Sequence, residues 1–136
     1  TVINFKTLTL GLYFLTIGTF LGAVWANESW GRYWGWDSKE TWSLITIIVY
    51  AFVTHSRMIP GMKSIYSFNL LSLIGFSSVL MTYFGVNYYL SGMHSYASGD
   101  PVPVPSFVYI TVALLAGLCV AAYLKYRRLG KEHLGE

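Results

Sequence analysis

The sequence predicts an all-α, polytopic membrane protein with about four transmembrane helices and a tryptophan-rich outer loop, residues 1–136 forming one domain. Its apolar content, its scarcity of charge and its long uncharged intervals lead to this prediction. Hydrophobic residues make up 54% of the chain and charged residues 11%, whereas about a quarter is usual in soluble domains. So few charges cannot form the polar shell of a soluble enzyme, and the composition also excludes a disordered tail and a nucleic-acid-binding arm.

Uncharged intervals locate three of the helices. Intervals of 21, 36 and 24 residues without a formal charge follow Lys6, Lys63 and Asp100. A helix that crosses the hydrocarbon core needs about 20 mostly apolar residues. The 36-residue interval is too long for one crossing, and prolines after it prevent the helix from continuing. We therefore expect helices near 5–26, 65–89 and 106–126.

A capping signal locates the remaining helix. The uncharged interval after Glu40 holds only 16 residues. Asp37 and Glu40 have the spacing of a capping box, in which the first residue caps the helix and the second reaches back to it. The helix then begins at Ser38 and extends over 38–58. About 20 residues at 1.5 Å each are enough to cross a membrane.

Lysine and arginine predict the orientation. Four crossings place the N-terminus, the 59–64 turn and the tail 127–136 on one side. Seven of the nine basic residues lie on that side: Lys6, Arg57, Lys63, Lys125, Arg127, Arg128 and Lys131. By the positive-inside rule this side is cytoplasmic, so the loops 27–37 and 90–105 face outward together.

All five tryptophans lie within one stretch, residues 25–42, which we call the tryptophan-rich segment. They are Trp25, Trp30, Trp34, Trp36 and Trp42. One interpretation is an interfacial aromatic belt, but a belt would distribute tryptophans over both membrane faces. The other is a flat aromatic platform for a large planar ligand, in which Trp30 and Trp34 share a face if that part is helical.

Other residues of the segment agree with a planar, acidic ligand. Gly31 and Gly35 remove side chains between the indoles, which lets a flat molecule approach the backbone. Arg32 and Lys39 supply cations that could pair with carboxylates of the ligand. Elsewhere, the glycines Gly11, Gly18 and Gly22 lie on one face of the first helix and predict close helix packing.

Two histidines are candidate ligands. A lone loop histidine such as His94 is usually an exposed bystander, but its position on the same membrane face as the tryptophan-rich segment favours a metal ligand. His55 lies within the second helix, where ionisable groups are costly and often functional. Its structural alternative is a neutral ring bonded to a backbone carbonyl near the inner interface.

A planar, carboxylate-bearing, metal-centred ligand is haem, and the motif supports it. The run Trp30-Gly-x-x-Trp34-x-Trp36-Asp37-x-Lys-Glu-x-Trp42 closely resembles the "WWD" signature of the haem-handling superfamily. The sequences around His55 and His94 resemble the CcsA-type subunit of the system II cytochrome c synthetase. Members of that family are much longer and have a further histidine upstream, so we expect this chain to be a C-terminal portion.

The resemblance implies which residues handle haem b as ligand and substrate. The tryptophan-rich segment would hold it through Trp25, Trp30, Trp34, Trp36, Asp37 and Trp42. His94 would be an axial ligand of the haem iron, and His55 a transient ligand during passage through the membrane. No acid–base pair of the chain's own is implied, since Asp37 and Glu40 are explained by helix capping.

The resemblance also implies a function in cytochrome c biogenesis. Haem held at the outer face would be presented to the CXXCH motif of apocytochrome c, whose thiols form thioethers, as part of a holocytochrome c synthase (haem lyase). The implied partners are haem, apocytochrome c, the lipid bilayer, and the upstream half of the same protein or a CcsB-type subunit, without nucleic acid. The implied location is the bacterial inner (cytoplasmic) membrane or its thylakoid equivalent.

Two alternatives remain open. The first is a haem chaperone or exporter of the same superfamily, which passes haem to a carrier without attaching it, and the tryptophan signature does not separate it from a synthase. The second is a haem b electron-transfer subunit, which needs two histidines at one depth. Helix rise separates His55 and His94 by about 20 Å or more along the membrane normal, which disfavours a shared iron.

Overall fold

The structure is a computed structural model that describes residues 2–93 and 103–132, and in this part of the chain every regular element is helical. The α-helices are α1 (Val2–Trp30), α2 (Ser38–His55), α3 (Ile65–Leu80), α4 (Val86–Tyr89) and α5 (Ser106–Glu132). A 3₁₀ turn, Ser56–Met58, follows α2, and a π-helical turn, Met81–Gly85, joins α3 to α4. The predicted all-α class is confirmed.

Three helical stretches are long and apolar enough to cross a membrane: Val2–Trp30, Ile65–Tyr89 and Ser106–Leu129. The polytopic membrane class is therefore confirmed. The helix α2 forms where it was predicted, but it has only 18 residues. Lys39 and Glu40 occupy its first turn, and it is not among the three stretches.

The first and last helices extend beyond their predicted limits. The helix α1, expected over 5–26, continues past Glu28 to Trp30. It ends at Gly31, whose φ of 70° lies in the left-handed region and whose N–H donates to the Asn27 carbonyl at 2.8 Å, a common helix ending. The helix α5, expected over 106–126, continues to Glu132 because lysine and arginine are good helix formers. A charge marked the end of the apolar span, not the end of the helix.

The structure falls into two compact units, Thr1–Val102 and Pro103–Glu136. In the first, α2 packs against both α1 and α3. Its core contains Tyr50, Val53 and Phe68, with Leu8 and Leu12 of α1 packed against them. The second unit contains α5. The assignment of residues 1–136 to a single domain stays a prediction.

The termini of the helices in the first unit contact one another at each of its two opposite ends. At one end the Asn4 side-chain amide donates to Asn69 Oδ1 at 2.9 Å, so the start of α1 contacts α3. At the other end, Ser38 at the start of α2 donates to the Ser91 carbonyl at 2.7 Å. The tryptophan-rich segment and the turn 90–93 therefore share one end, as predicted for the two loops.

Candidate functional site

The backbone of the tryptophan-rich segment is set by a helix start. Residues 32–37 leave α1 without helical structure, and Asp37 caps α2 by accepting the Lys39 N–H at 3.2 Å. Glu40 Oε2 reaches back to accept the N–H groups of Gly35 at 2.7 Å and Asp37 at 3.2 Å. The predicted capping box is confirmed. It folds residues 35–40 into a compact turn at the end of the first unit.

Four of the tryptophans form two edge-on pairs. Trp25 and Trp30 have ring centroids 5.1 Å apart with planes at 80°. Trp34 and Trp36 have centroids 5.9 Å apart with planes at 88°. Because α1 ends at Trp30, the segment is not helical as far as Trp34, so the condition under which these two residues would share a helix face is not met. The indoles form edge-to-face pairs and not one flat surface.

A cavity of about 390 Å³ lies beside these pairs, between α1 and the start of α2. Trp25 and Trp34 line it, together with Tyr33, Lys39 and Glu40. Its volume is in the range of small-molecule sites, which combine apolar walls with a few polar groups. Trp30 and Trp36 do not line it, but each packs edge-on against an indole that does.

The glycine face of α1 forms another wall. Gly18 and Gly22 line the cavity, and a Cβ added at either, or at Gly11, would meet nothing within 4 Å. The close helix packing predicted for these glycines is therefore wrong in this part of the chain. Their small size leaves open space along α1.

A second cavity of about 460 Å³ lies deeper between the helices. Lys39 lines both cavities, and its ammonium group donates to Asn87 Oδ1 of α4 at 3.3 Å. Thr46 and Thr82 also line the second cavity, with hydroxyl oxygens 3.0 Å apart. Both hydroxyls lie near the Trp42 carbonyl, at 2.8 and 3.2 Å. The Trp42 backbone therefore belongs to a polar contact between α2 and the π-helical turn.

Sequence reasoning missed several lining residues. Tyr33 lies inside the tryptophan-rich segment, so its neighbours were a usable signal. Thr82 and Tyr83 are distant in sequence from that segment, whereas Thr46 follows its last residue by four positions. Only the packing of α2 against the π-helical turn brings these three residues together. No short motif marks such residues in advance.

The structure places His55 far from the tryptophans, at the other end of α2. The side chain is exposed, and its Nδ1 lies 2.7 Å from the Ala51 carbonyl oxygen. In the neutral tautomer that donates from Nδ1 to that carbonyl, Nε2 carries no hydrogen and can act as a ligand. One nitrogen thus makes the backbone bond expected of a structural histidine, and the other retains the chemistry expected of a haem ligand. His94 lies outside the described residues.

Most of this chain matches a known protein family. The model of the family described as cytochrome C assembly protein matches residues 1–94. The chain belongs to this family. The match covers the tryptophan-rich segment, both candidate histidines and α1–α4, whereas α5 lies beyond it. The resemblance proposed from the sequence motif is confirmed.

Individual proteins that are similar to this chain agree with the family assignment. Protein NrfI of Wolinella succinogenes is 62% identical over 101 residues, which cover 74% of this chain and 11% of that protein. Cytochrome c biogenesis protein CcsA of Hordeum vulgare is 47% identical over 100 residues, covering 74% of this chain and 31% of that protein. CcsA of Cuscuta reflexa is 50% identical over 95 residues, covering 70% and 30%. The chain spans less than a third of the length of these curated relatives.

Proposed function

We propose that this chain acts in cytochrome c biogenesis by binding haem b at the tryptophan-rich segment and presenting it at the outer face of the membrane for thioether attachment to apocytochrome c. The observation that carries the proposal is the cavity of about 390 Å³ lined by Trp25, Trp34 and Lys39. This cavity, in a member of the cytochrome C assembly protein family, has lining residues whose chemistry suits haem. Relatives named for cytochrome c biogenesis support the same role.

The lining residues suit a porphyrin. Two indoles and the bare glycine face of α1 provide apolar walls for the macrocycle, and aromatic contacts add about 0.5–1.5 kcal/mol each beyond area burial. The Lys39 ammonium group can pair with a propionate. His94, one residue beyond the described turn, remains the proposed axial ligand.

The chain's contribution to the reaction is positioning. Each thioether forms when a cysteine S–H of the apocytochrome adds across a haem vinyl group, the sulfur bonding one carbon and the hydrogen the other. The thiols come from the client protein, so this chain supplies no nucleophile. Holding the vinyl groups near an incoming CXXCH motif converts an encounter into an oriented reaction.

Haem titration of the purified protein in detergent tests the binding step. Trp25→Ala and Trp34→Ala should each weaken haem binding several-fold, because each removes one indole from the cavity wall. Phe20→Ala is the matched control, since Phe20 is an exposed aromatic residue of α1 that does not line the cavity. Equal haem affinity in all three variants and the unaltered protein would eliminate the cavity as the binding site.

A pyridine haemochrome spectrum of the client tests the product. The protein is co-expressed with a CcsB-type subunit and an apocytochrome c reporter. Covalently attached haem c in the reporter, reduced several-fold in the Trp34→Ala variant, is the expected result. Haem b bound by the protein without attachment to the reporter would instead support the chaperone alternative.

A further inference from the structure

We propose that Asp37 is a positioning residue that ties the turn 90–93 to the start of α2 and so fixes where the chain enters the residues that carry His94. Its consequence for haem rests on the proposed function. The proposal assigns Asp37 a task different from the haem contact that the motif implied.

The Asp37 carboxylate joins two parts of the chain. Its Oδ2 accepts the Lys39 N–H at 3.2 Å, which caps α2. Its Oδ1 accepts the Met93 N–H at 2.6 Å, across 56 positions of sequence. Hydrogen bonds to an ionised carboxylate are shorter and about twice as strong as neutral ones. One side chain thus caps a helix with one oxygen and holds a distant turn with the other.

The neighbouring residue makes a second tie. Ser38 Oγ donates to the Ser91 carbonyl at 2.7 Å. The Arg32 guanidinium also approaches the turn, with Nη2 at 2.8 Å from Met93 Sδ. Asp37 and Ser38 at the start of α2 therefore bond Met93 and Ser91 of the turn. The two bonds together fix how the turn is aligned with the start of α2 and how far from it the turn lies.

Gly92 leaves room for the hydrogen bond between Asp37 and Met93. A Cβ added to Gly92 would overlap Asp37 Oδ1. The φ of Gly92 is not in the left-handed region, so its backbone conformation does not itself demand glycine. A side chain at position 92 would therefore displace the Asp37 carboxylate from its bond to Met93, and glycine leaves room for this bond.

Capping alone does not require this arrangement. Serine, threonine, asparagine and aspartate all cap helices well, and each cap needs one acceptor. The second acceptor of the carboxylate holds Met93 at the end of the described turn. Met93 directly precedes the proposed haem ligand His94 in the sequence, so the bond anchors the chain at the point from which it continues to that residue.

Hydrogen exchange tests the tie without haem. Asp37→Ser keeps a good cap for α2 but is too short to reach Met93 as well. We expect at least tenfold faster exchange in a peptide covering 90–93, with little change in a peptide covering the first turns of α2. Gly92→Ala should accelerate exchange in the same turn by displacing the carboxylate. Unchanged exchange at 90–93 in both variants would overturn the proposal.

Haem ligation tests the positioning. In Asp37→Ser we expect about tenfold weaker haem binding, an altered iron-ligand spectrum and partial recovery on adding imidazole, because the protein's own ligand is no longer held. Faster exchange together with unchanged affinity and spectrum would show a purely structural tie and refute positioning. The Trp25→Ala and Trp34→Ala titrations decide haem binding separately, so failure of one proposal is distinguishable from failure of the other.

Discussion

The two nitrogens of the His55 ring have different surroundings, and this allows their roles to be separated. Asparagine can place its amide nitrogen near the Nδ1 position and keep the bond to Ala51, but it has no counterpart of Nε2. We expect His55→Asn to retain thermal stability while lowering cytochrome c yield as much as His55→Ala does. The measurements are melting temperature in detergent and haem-stained cytochrome c in co-expressing cells. Normal yield from His55→Asn would mean that the histidine serves only the backbone bond.

Trp36 combines an exposed indole with a strained backbone. Its φ of 56° is in the left-handed region and its side chain is 73% exposed. Non-glycine residues held there cost about 1–2 kcal/mol and cluster at functional sites. Trp36 packs edge-on against Trp34 of the cavity wall, so its strained backbone lies next to the proposed haem site.

Comparing two substitutions isolates that strain. Trp36→Gly and Trp36→Ala both remove the indole, but only glycine relieves the backbone. We expect the glycine variant to be more stable than the alanine variant by about 1 kcal/mol in the free energy of unfolding, the reverse of the usual order. Haem affinity should fall equally in both. A less stable glycine variant in chemical denaturation would show that the left-handed backbone carries no cost.

Local residue patterns could be predicted from sequence, and contacts between distant residues could not. Asp37 and Glu40 are three positions apart, so their capping box depends on one turn of helix. The bond from Asp37 to Met93 depends on the packing of helices against each other, which no local pattern encodes. The tryptophans were recognised as a group, but the edge-on pair of Trp34 and Trp36 lies in the non-helical chain that follows the end of α1 at Gly31, which the sequence did not locate.

At the scale of elements, charge spacing located α1, α3 and α5, and a capping signal located α2, but the predicted ends of α1 and α5 were too early. Lipid thickness limits the apolar span, whereas caps and glycine determine where hydrogen bonding ends. The π-helical turn Met81–Gly85 was not predicted, because no hydrophobic period distinguishes it from α-helix. Such turns are rare and frequently occur at functional sites, and this one contributes Thr82 to the second cavity.

The contact between α2 and the π-helical turn has a measurable energy. Thr82→Val keeps the side-chain shape but removes a hydroxyl that lies 3.0 Å from Thr46 Oγ1, and Thr46 is almost fully buried. Hydrogen bonds between membrane helices average about 0.6 kcal/mol with a maximum of about 1.7, so a loss in this range is expected. Thr111→Val is the control, because Thr111 is exposed on α5 and its hydroxyl donates to the Phe107 carbonyl of the same helix. Equal unfolding free energies for the two variants would contradict an interhelical role.

At the scale of the whole molecule, the first unit separates two kinds of chemistry along its length. The tryptophan-rich segment, the turn 90–93 and Lys39 lie at one end, and His55 lies at the other, separated by the length of α2, about 25 Å. The family match over residues 1–94 covers both ends. The proposed delivery of haem at one end and its proposed binding at the other therefore both fall within the part of the chain that the family model matches.

Orientation decides which end meets the client protein, and single cysteines can report it. Cys119 is the only cysteine, so Cys119→Ser gives a background in which Ser29→Cys and Met58→Cys are each unique. Both positions are exposed and lie at opposite ends of the first unit. By the positive-inside rule we expect the Met58 end, which carries Arg57 and Lys63, to face the cytoplasm. A membrane-impermeant maleimide applied to intact cells should therefore label Ser29→Cys, and Met58→Cys only after permeabilisation. The reverse pattern would place the tryptophan-rich segment in the cytoplasm, on the wrong side of the membrane for attachment to an exported apocytochrome.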